Sequence, residues 1–236
     1  MSTIAANLQA VEATIAAAAQ AAGRPRAGVQ LLAVSKTFPM EDVLEAIAAG
    51  QRAFGENYLQ EGVEKIAAVA RAQPAQMETP VEWHFIGPIQ SNKTRPIATS
   101  FHWVHTVERL KIAQRLSEQR PSELGPLNVC LQVNISGEAT KSGATPAELP
   151  ELARAVAALP NLALRGLMAI PEAQSDPALQ RAAFAKLRAL ADTLRASGLK
   201  IDTLSMGMSG DMEAAILEGA TIVRVGSAIF GARDYD

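Results

Sequence analysis

The sequence predicts a (β/α)8 barrel with one additional N-terminal helix, and three observations carry that prediction. Short apolar runs rich in Val, Leu, Ile and Phe recur along the chain and alternate with segments of helical periodicity. Eight such runs occur, each followed by a helix or by the end of the chain, within 236 residues. The polar residues that break the pattern cluster just after the runs, at the strand ends where parallel barrels place their functional groups. A doubly wound open sheet produces the same alternation, so the pattern alone leaves closure undecided.

The elements follow in order. Leu8, Val11 and Ile15 give a helix over 7–22, which stops at Gly23-Arg24-Pro25. Leu31-Leu32-Ala33-Val34 runs straight into Ser35-Lys36 and reads as a strand over 31–35, buried on both faces. Pro39 suits a first helical turn, and Met40, Val43, Leu44 and Ile47 stand at i, i+3, i+4 and i+7 before Gly50 ends the helix. A short strand over 52–55 precedes a helix over 57–73. A strand over 83–87 is followed by a short helical piece opening at Ser91-Asn92-Lys93. The remaining pairs are strand 101–104 with helix 108–118, strand 129–133 with helix 146–159, and strand 164–170 with helix 177–197. Strand 201–206 leads to helix 211–217, stopped by Gly219, and strand 221–225 is the last.

Composition narrows the function classes. A hydrophobic content of 48% suffices for a sizeable core, and no linker rich in Gly and Ser divides the chain, so one domain over 1–236 is expected. A net charge of −2 gives no electrostatic case for nucleic acid or an anionic membrane. No apolar stretch reaches the length of a membrane span. Residues 1–20 are alanine-rich without a basic start and carry Glu12, which reads as an ordinary helix rather than a signal peptide. The single cysteine, Cys130, excludes an intrachain disulfide framework and reads as a small buried strand residue, consistent with the cytoplasm.

The strand ends carry the chemistry. Lys36 closes the first strand, and an ammonium there either pairs with an anion or loses its proton and attacks a carbonyl. Gly207-Met208-Ser209-Gly210 opens onto a helix after strand seven, and Gly226-Ser227 follows Arg224 on strand eight. Loops after strands seven and eight are a recurring phosphate site in barrels, because glycine lets backbone N–H groups approach an anion. Each glycine alone could be a turn device, and Ser209 or Asp211 a helix cap; both loops in these two positions favour phosphate. Neither a Gly-x-x-x-x-Gly-Lys-Ser/Thr loop nor an early Gly-x-Gly-x-x-Gly is present, so a nucleotide is not indicated. A lysine with a phosphate cradle and an arginine fits a small phosphorylated aldehyde, of which pyridoxal phosphate is the biological example that needs a lysine.

At this point the residues resemble a known family, the pyridoxal phosphate homeostasis proteins (also called YggS or PROSC). Their barrel is similar to the N-terminal barrel of alanine racemase, without its second domain. The resemblance spans essentially the whole chain. It rests on Ala33-Val34-Ser35-Lys36, Phe54-Gly55-Glu56-Asn57-Tyr58, Trp83-His84-Phe85-Ile86-Gly87-Pro88-Ile89-Gln90-Ser91-Asn92-Lys93, Gly166-Leu167-Met168, Leu204-Ser205-Met206-Gly207-Met208-Ser209 and Arg224-Val225-Gly226-Ser227-Ala228-Ile229-Phe230-Gly231. The resemblance implies that Lys36 forms an internal aldimine with pyridoxal phosphate. It also implies that Ser209, Gly226 and Ser227 hold the phosphate, that Arg224 faces the pyridine nitrogen, and that Asn57 and Met206 lie at the cofactor. Lys141 matches a loop lysine implicated in cofactor exchange. The implied function is to buffer and deliver the cofactor, keeping vitamin B6 and amino and keto acids in balance. PLP-dependent client enzymes are the implied partners, and a monomer the implied state.

The residues also bear on turnover. An arginine against the ring nitrogen opposes its protonation and weakens the ring as an electron sink. Racemases of this barrel type use a tyrosine from their second domain as a further base, and here the tyrosines are Tyr58, expected to pack, and Tyr235, in the C-terminal tail. No catalytic residue is therefore assigned. A small amino-acid racemase is the alternative, and a class I aldolase-type barrel ranks below it because Glu56 is the only obvious carboxylate at a strand end. His84 reads as a satisfied structural residue, His102 and His105 lack metal-ligand spacing, and no metal is assigned. Trp83 and Trp103 read as barrel packing, and 90–93 as either a cofactor or partner contact or a helix cap.

Overall fold

The computed structural model describes residues 3–72, 80–138 and 141–232. Eight parallel strands close into one barrel in sequence order, with β1 returning to β8 through Gln30–Ile222, Leu31–Val223, Leu32–Arg224 and Ala33–Val225. Closure settles the choice that the pattern left open. The strands are β1 (Gln30–Val34), β2 (Ala53–Glu56), β3 (Glu82–Phe85), β4 (Trp103–Val107), β5 (Leu127–Gln132), β6 (Leu162–Met168), β7 (Thr203–Ser205) and β8 (Ile222–Val225). The helices are α1 (Thr3–Ala21), α2 (Met40–Ala48), α3 (Leu59–Ala72), α4 (Thr94–Ser100), α5 (Leu110–Gln119), α6 (Leu149–Ala157), α7 (Pro177–Ala196), α8 (Met212–Leu217) and α9 (Ser227–Phe230).

Strand periodicity divides the core in two. Outward residues such as Phe54, Trp83, Phe85 and Val104 pack under the helices in one large cluster, with Leu116 and Phe184 from the helical side. Inward residues form a second, smaller cluster of Leu32, Val34, Ala53, Ile86, Trp103, Cys130, Met168 and Ile222. Each buried aliphatic side chain contributes about 1.5–3 kcal/mol, so the outer layer carries most of the stability. Helix α1 buries Ile4, Leu8, Val11 and Ile15 and packs beside α2, α8 and α9. Its Asn7 Nδ2 donates to Ile229 O at 2.8 Å, tying the extra helix to α9.

Boundaries moved where burial imitated a strand. The fourth strand begins at Trp103 rather than at Phe101. Phe101 is the C-cap residue of α4 and packs edge-on to Phe85 at 5.3 Å, so it is as buried as a strand residue without being in one. The same strand continues through His105 and Thr106, polar residues accommodated because His105 points into the barrel and Thr106 Oγ1 donates to Gly87 O at 2.6 Å. Strand six ends at Met168, two residues before its apolar run does, and Ile170 stands exposed at the barrel mouth. The piece at 91–93 is a 3-10 turn leading into α4.

Candidate functional site

A cavity of about 310 Å³ opens at the C-terminal mouth of the barrel, at the lower end of the range for small-molecule sites (roughly 300–1,000 Å³). Lys36, Asn57, Arg224, Ser209, Gly226 and Ser227 all line it, with Val34, Ile86, Met168, Ile170, Met208 and Gly210 completing the wall. Six of the seven residues expected at a cofactor therefore converge on one space. The seventh, Met206, does not line it. Alternation along β7 turns Ser205 inward and sends Met206 into the outer core, where it is fully buried. The methionines at the cavity are Met168 and Met208.

Lys36 sits in a turn that is fastened on both sides. Ser35 N donates to Gly55 O at 3.1 Å, and Ser35 Oγ donates to Glu56 Oε1 at 2.6 Å. On the other side Thr37 has φ +67, an unfavourable conformation for a β-branched residue. Its N–H donates to Glu61 Oε1 at 2.6 Å. Lys65, buried on α3, joins the two halves: its Nζ donates to Ser35 O at 2.8 Å, Glu56 Oε1 at 2.7 Å and Glu61 Oε1 at 2.8 Å. Burial raises the Glu56 carboxyl above its ordinary range, opposed by Lys65 and by the Ser35 hydroxyl. Glu56 thus belongs to the clamp behind Lys36, between β2 and α3, and is not among the cavity's lining residues. Lys65 and Glu61 were not singled out from the sequence. Their only signal was the i, i+4 spacing of a helix whose partner, Glu56, is contacted through the fold.

Asn57 is set by close backbone approach. A Cβ on Gly87 would lie 2.0 Å from Asn57 O, so only glycine permits the β3 loop to pass there. Asn57 Oδ1 is shielded from solvent and has no hydrogen-bond partner among the described residues. Asn57 lines the cavity through its other atoms, since Oδ1 is closed to solvent.

Arg224 is 5% exposed. Its Nη1 donates to Ser205 Oγ at 2.8 Å and its Nη2 to Ala169 O at 3.1 Å. Burial lowers its pKa to about 10, which still leaves it cationic at neutral pH. No carboxylate pairs with it among the described residues. The cavity floor is therefore a buried positive charge, favourable to an anionic or electron-rich ligand.

The two glycine-bearing loops after β7 and β8 close the mouth of the barrel. Gly207 has φ +95, and a Cβ there would meet Ala215 Cβ at 2.5 Å, so the loop presses directly on α8. Asp211 is the N-cap residue of α8, yet its side chain makes no capping bond; Oδ1 accepts instead from Met208 N at 2.6 Å and holds the loop's shape. Ser209 does not cap the helix either, and stands exposed at the mouth. Gly226 and Ser227 face it across the opening, where α9 begins.

Other expectations resolve plainly. Tyr58 is 52% exposed and neither packs nor lines the cavity. Tyr235 falls outside the described residues. Lys141 pairs with Glu138 at 2.8 Å on the β5 loop, away from the lining. The 90–93 segment caps no helix with a side chain and does not reach the cavity wall. Trp83 packs on Phe54 outside the barrel, and Trp103 stacks on His84 inside it. His84 and His105 are both completely buried in the barrel interior. Among the described residues no cluster of His, Cys, Asp or Glu could hold a metal ion. Cys130 is enclosed in the barrel, and burial pushes its thiol up to about 12. No helix of the described residues is long and apolar enough to cross a membrane.

Comparison with known proteins agrees with this geometry. The family model "Alanine racemase, N-terminal domain" matches residues 6–234. The chain is 66% identical to a pyridoxal phosphate homeostasis protein of Pseudomonas aeruginosa, over 100% of this chain and 98% of that one. The structure of PipY from Synechococcus elongatus with PLP bound superimposes with a TM-score of 0.82 at 36% identity, covering 97% of this chain and 100% of that chain. An alanine racemase of Clostridium difficile gives a TM-score of 0.72 at 15% identity, over 99% of this chain and 58% of the racemase, a likeness of fold. Sharing two thirds of its residues with the Pseudomonas protein from end to end, the chain belongs to the alanine racemase N-terminal domain family and, within it, to the pyridoxal phosphate homeostasis proteins.

Proposed function

We propose that this protein binds pyridoxal 5'-phosphate at the barrel mouth and buffers or delivers it, maintaining the cell's vitamin B6 and its balance of amino and keto acids. The observation that carries the reading is the convergence of Lys36, Asn57, Arg224, Ser209, Gly226 and Ser227 on one cavity. When bound, the cofactor supplies an aldehyde that a lysine amine takes up reversibly. Lys36 is the amine, presented by the strained Thr37 turn and the Lys65 clamp behind it. Ser209, Gly226 and Ser227 hold the phosphate through hydroxyl and backbone donors. Arg224 faces the ring nitrogen and opposes its protonation, and Asn57 lies beside the ring. Met206 shapes the site only through the backbone between Ser205 and Gly207.

Holding without turnover is supported by the walls of the site. Among the described residues no Tyr, His, Asp or Glu lines the cavity, so no second proton-transfer group stands opposite Lys36. The relatives are named homeostasis proteins. We further propose a cytoplasmic monomer of one domain whose partners are PLP-dependent enzymes, with neither nucleic acid nor membrane involved. Lys141 pairs with Glu138 away from the cavity lining, and a part for it in cofactor exchange rests on the resemblance alone. The test is the visible spectrum of purified protein after addition of pyridoxal phosphate. A carbonyl–amine absorbance band is expected in the wild type and its absence in Lys36→Ala; an unchanged band in that variant would refute the assignment. Exchange of amino-acid Cα protons in deuterated water at useful turnover would instead favour the racemase reading.

A further inference from the structure

Five side chains run through the barrel interior as one hydrogen-bonded chain. Arg224 Nη1 lies 2.8 Å from Ser205 Oγ, Ser205 Oγ 2.7 Å from His105 Nδ1, His105 Nε2 2.9 Å from His84 Nδ1, and His84 Nε2 3.1 Å from Glu82 Oε2. Arg224 stands at the cavity, whereas Glu82 opens β3 at the opposite end of the barrel, its side chain 36% exposed. The chain therefore links the cofactor cavity to solvent at the barrel floor.

With neutral imidazoles the donors run from Arg224 to Glu82. An arginine can only donate, so Ser205 Oγ accepts from it; its own proton goes to His105 Nδ1 when that imidazole is protonated on Nε2. A carboxylate can only accept, so His84 donates from Nε2; neutral, it then accepts at Nδ1 from His105 Nε2. With both imidazoles neutral, every bond is satisfied when each carries its proton on Nε2; the other satisfied arrangement places an imidazolium at His84, with Ser205 Oγ accepting from both Arg224 and His105 Nδ1. Burial lowers both histidine pKa values, His105 well below the ordinary value. Burial opposes the Glu82 charge, but donors from His84, Trp103 and Gln30 favour it, and the carboxyl is held below its ordinary range.

We propose that Ser205, His105, His84 and Glu82 are positioning residues that fix the orientation of Arg224 at the cavity, with Glu82 acting from the far end of the barrel. This rests on the reading of the cavity as a pyridoxal phosphate site. Arg224 is held through this chain and by Ala169 O, so it cannot swing toward the cavity without breaking both. The guanidinium thereby presents a fixed edge to the ring nitrogen.

The test has two arms. Nitrogen-15 NMR of the histidines in cofactor-free wild-type protein at pH 7 should show His84 and His105 neutral, each protonated on Nε2. A proton on either Nδ1, or an imidazolium at either position, would overturn the chain. Titration with pyridoxal phosphate should then give Ser205→Ala about tenfold weaker binding than wild type, or roughly 1.4 kcal/mol, and a shifted visible band. Ser205→Thr, which keeps the hydroxyl, should restore both. Glu82→Gln should mix the His84 tautomers and shift the band in the same sense although it lies outside the cavity. Wild-type affinity and absorbance in folded Ser205→Ala and Glu82→Gln would refute the positioning role. A wild type that binds no pyridoxal phosphate would refute the site reading instead, with the tautomers still deciding the chain.

Discussion

Removing Lys65 tests how Lys36 is held. In Lys65→Met the ammonium disappears from among Ser35 O, Glu56 Oε1 and Glu61 Oε1 while the side chain's length is kept. Glu56 is 0% exposed and already has one oxygen, Oε2, without a partner. Breaking a buried ion pair from one side costs about 3–5 kcal/mol, because the remaining charge is stranded. For a chain of this size each kcal/mol moves the melting temperature by about 2–4 °C, so a fall of roughly 10 °C is expected. The pH dependence follows in sign. Glu56 has a raised folded-state pKa, so its contribution is fully present at low pH and is lost as pH rises through that pKa. Without Lys65, which lowers it, that pKa rises further and the loss extends towards neutral pH. Urea denaturation of both proteins should therefore show a deficit that is larger at pH 8 than at pH 5. Glu56→Gln added to Lys65→Met should recover much of it. A deficit below about 1 kcal/mol at pH 8, or one independent of pH, would refute the reasoning.

Three further outcomes are expected. Gly87→Ala should destabilise the fold by about 1–3 kcal/mol, since its Cβ would lie 2.0 Å from Asn57 O, and should weaken pyridoxal phosphate binding; thermal melts with a binding titration check both. Cys130, enclosed in the barrel with its thiol pushed up to about 12, should resist alkylation in the native protein and react at once in denaturant, as a mass-spectrometric time course would show. Asp176→Ala should cost about 1 kcal/mol in chemical denaturation, because Asp176 Oδ1 accepts from Ala178 N at the start of α7.

What the sequence revealed and what it hid divide along physical lines. Lys36 was legible because an apolar run ending in a cation is rare and the strand end dictates its place. The place of Ser209, Gly226 and Ser227 at the barrel mouth was legible because strand ends dictate it. Closure was not legible, since the pairing of β1 with β8 joins residues about as far apart as the chain allows. Met206 was misplaced for a simpler reason: neighbours on a strand face opposite ways, and the choice between Ser205 and Met206 needs a register that only the barrel fixes. His84 and His105 read as isolated histidines because their hydrogen bonds cross between strands. The Lys65 clamp was hidden in the same way, as its partners lie on β2 and in the turn after β1.

The central claim is that Lys36 is the residue that holds pyridoxal phosphate. Borohydride reduction of the loaded protein, followed by peptide mapping with mass spectrometry, addresses it directly. A pyridoxyl group is expected on Lys36 alone, and none in Lys36→Ala treated identically. Label on another lysine, such as Lys141, or undiminished label in Lys36→Ala would contradict it.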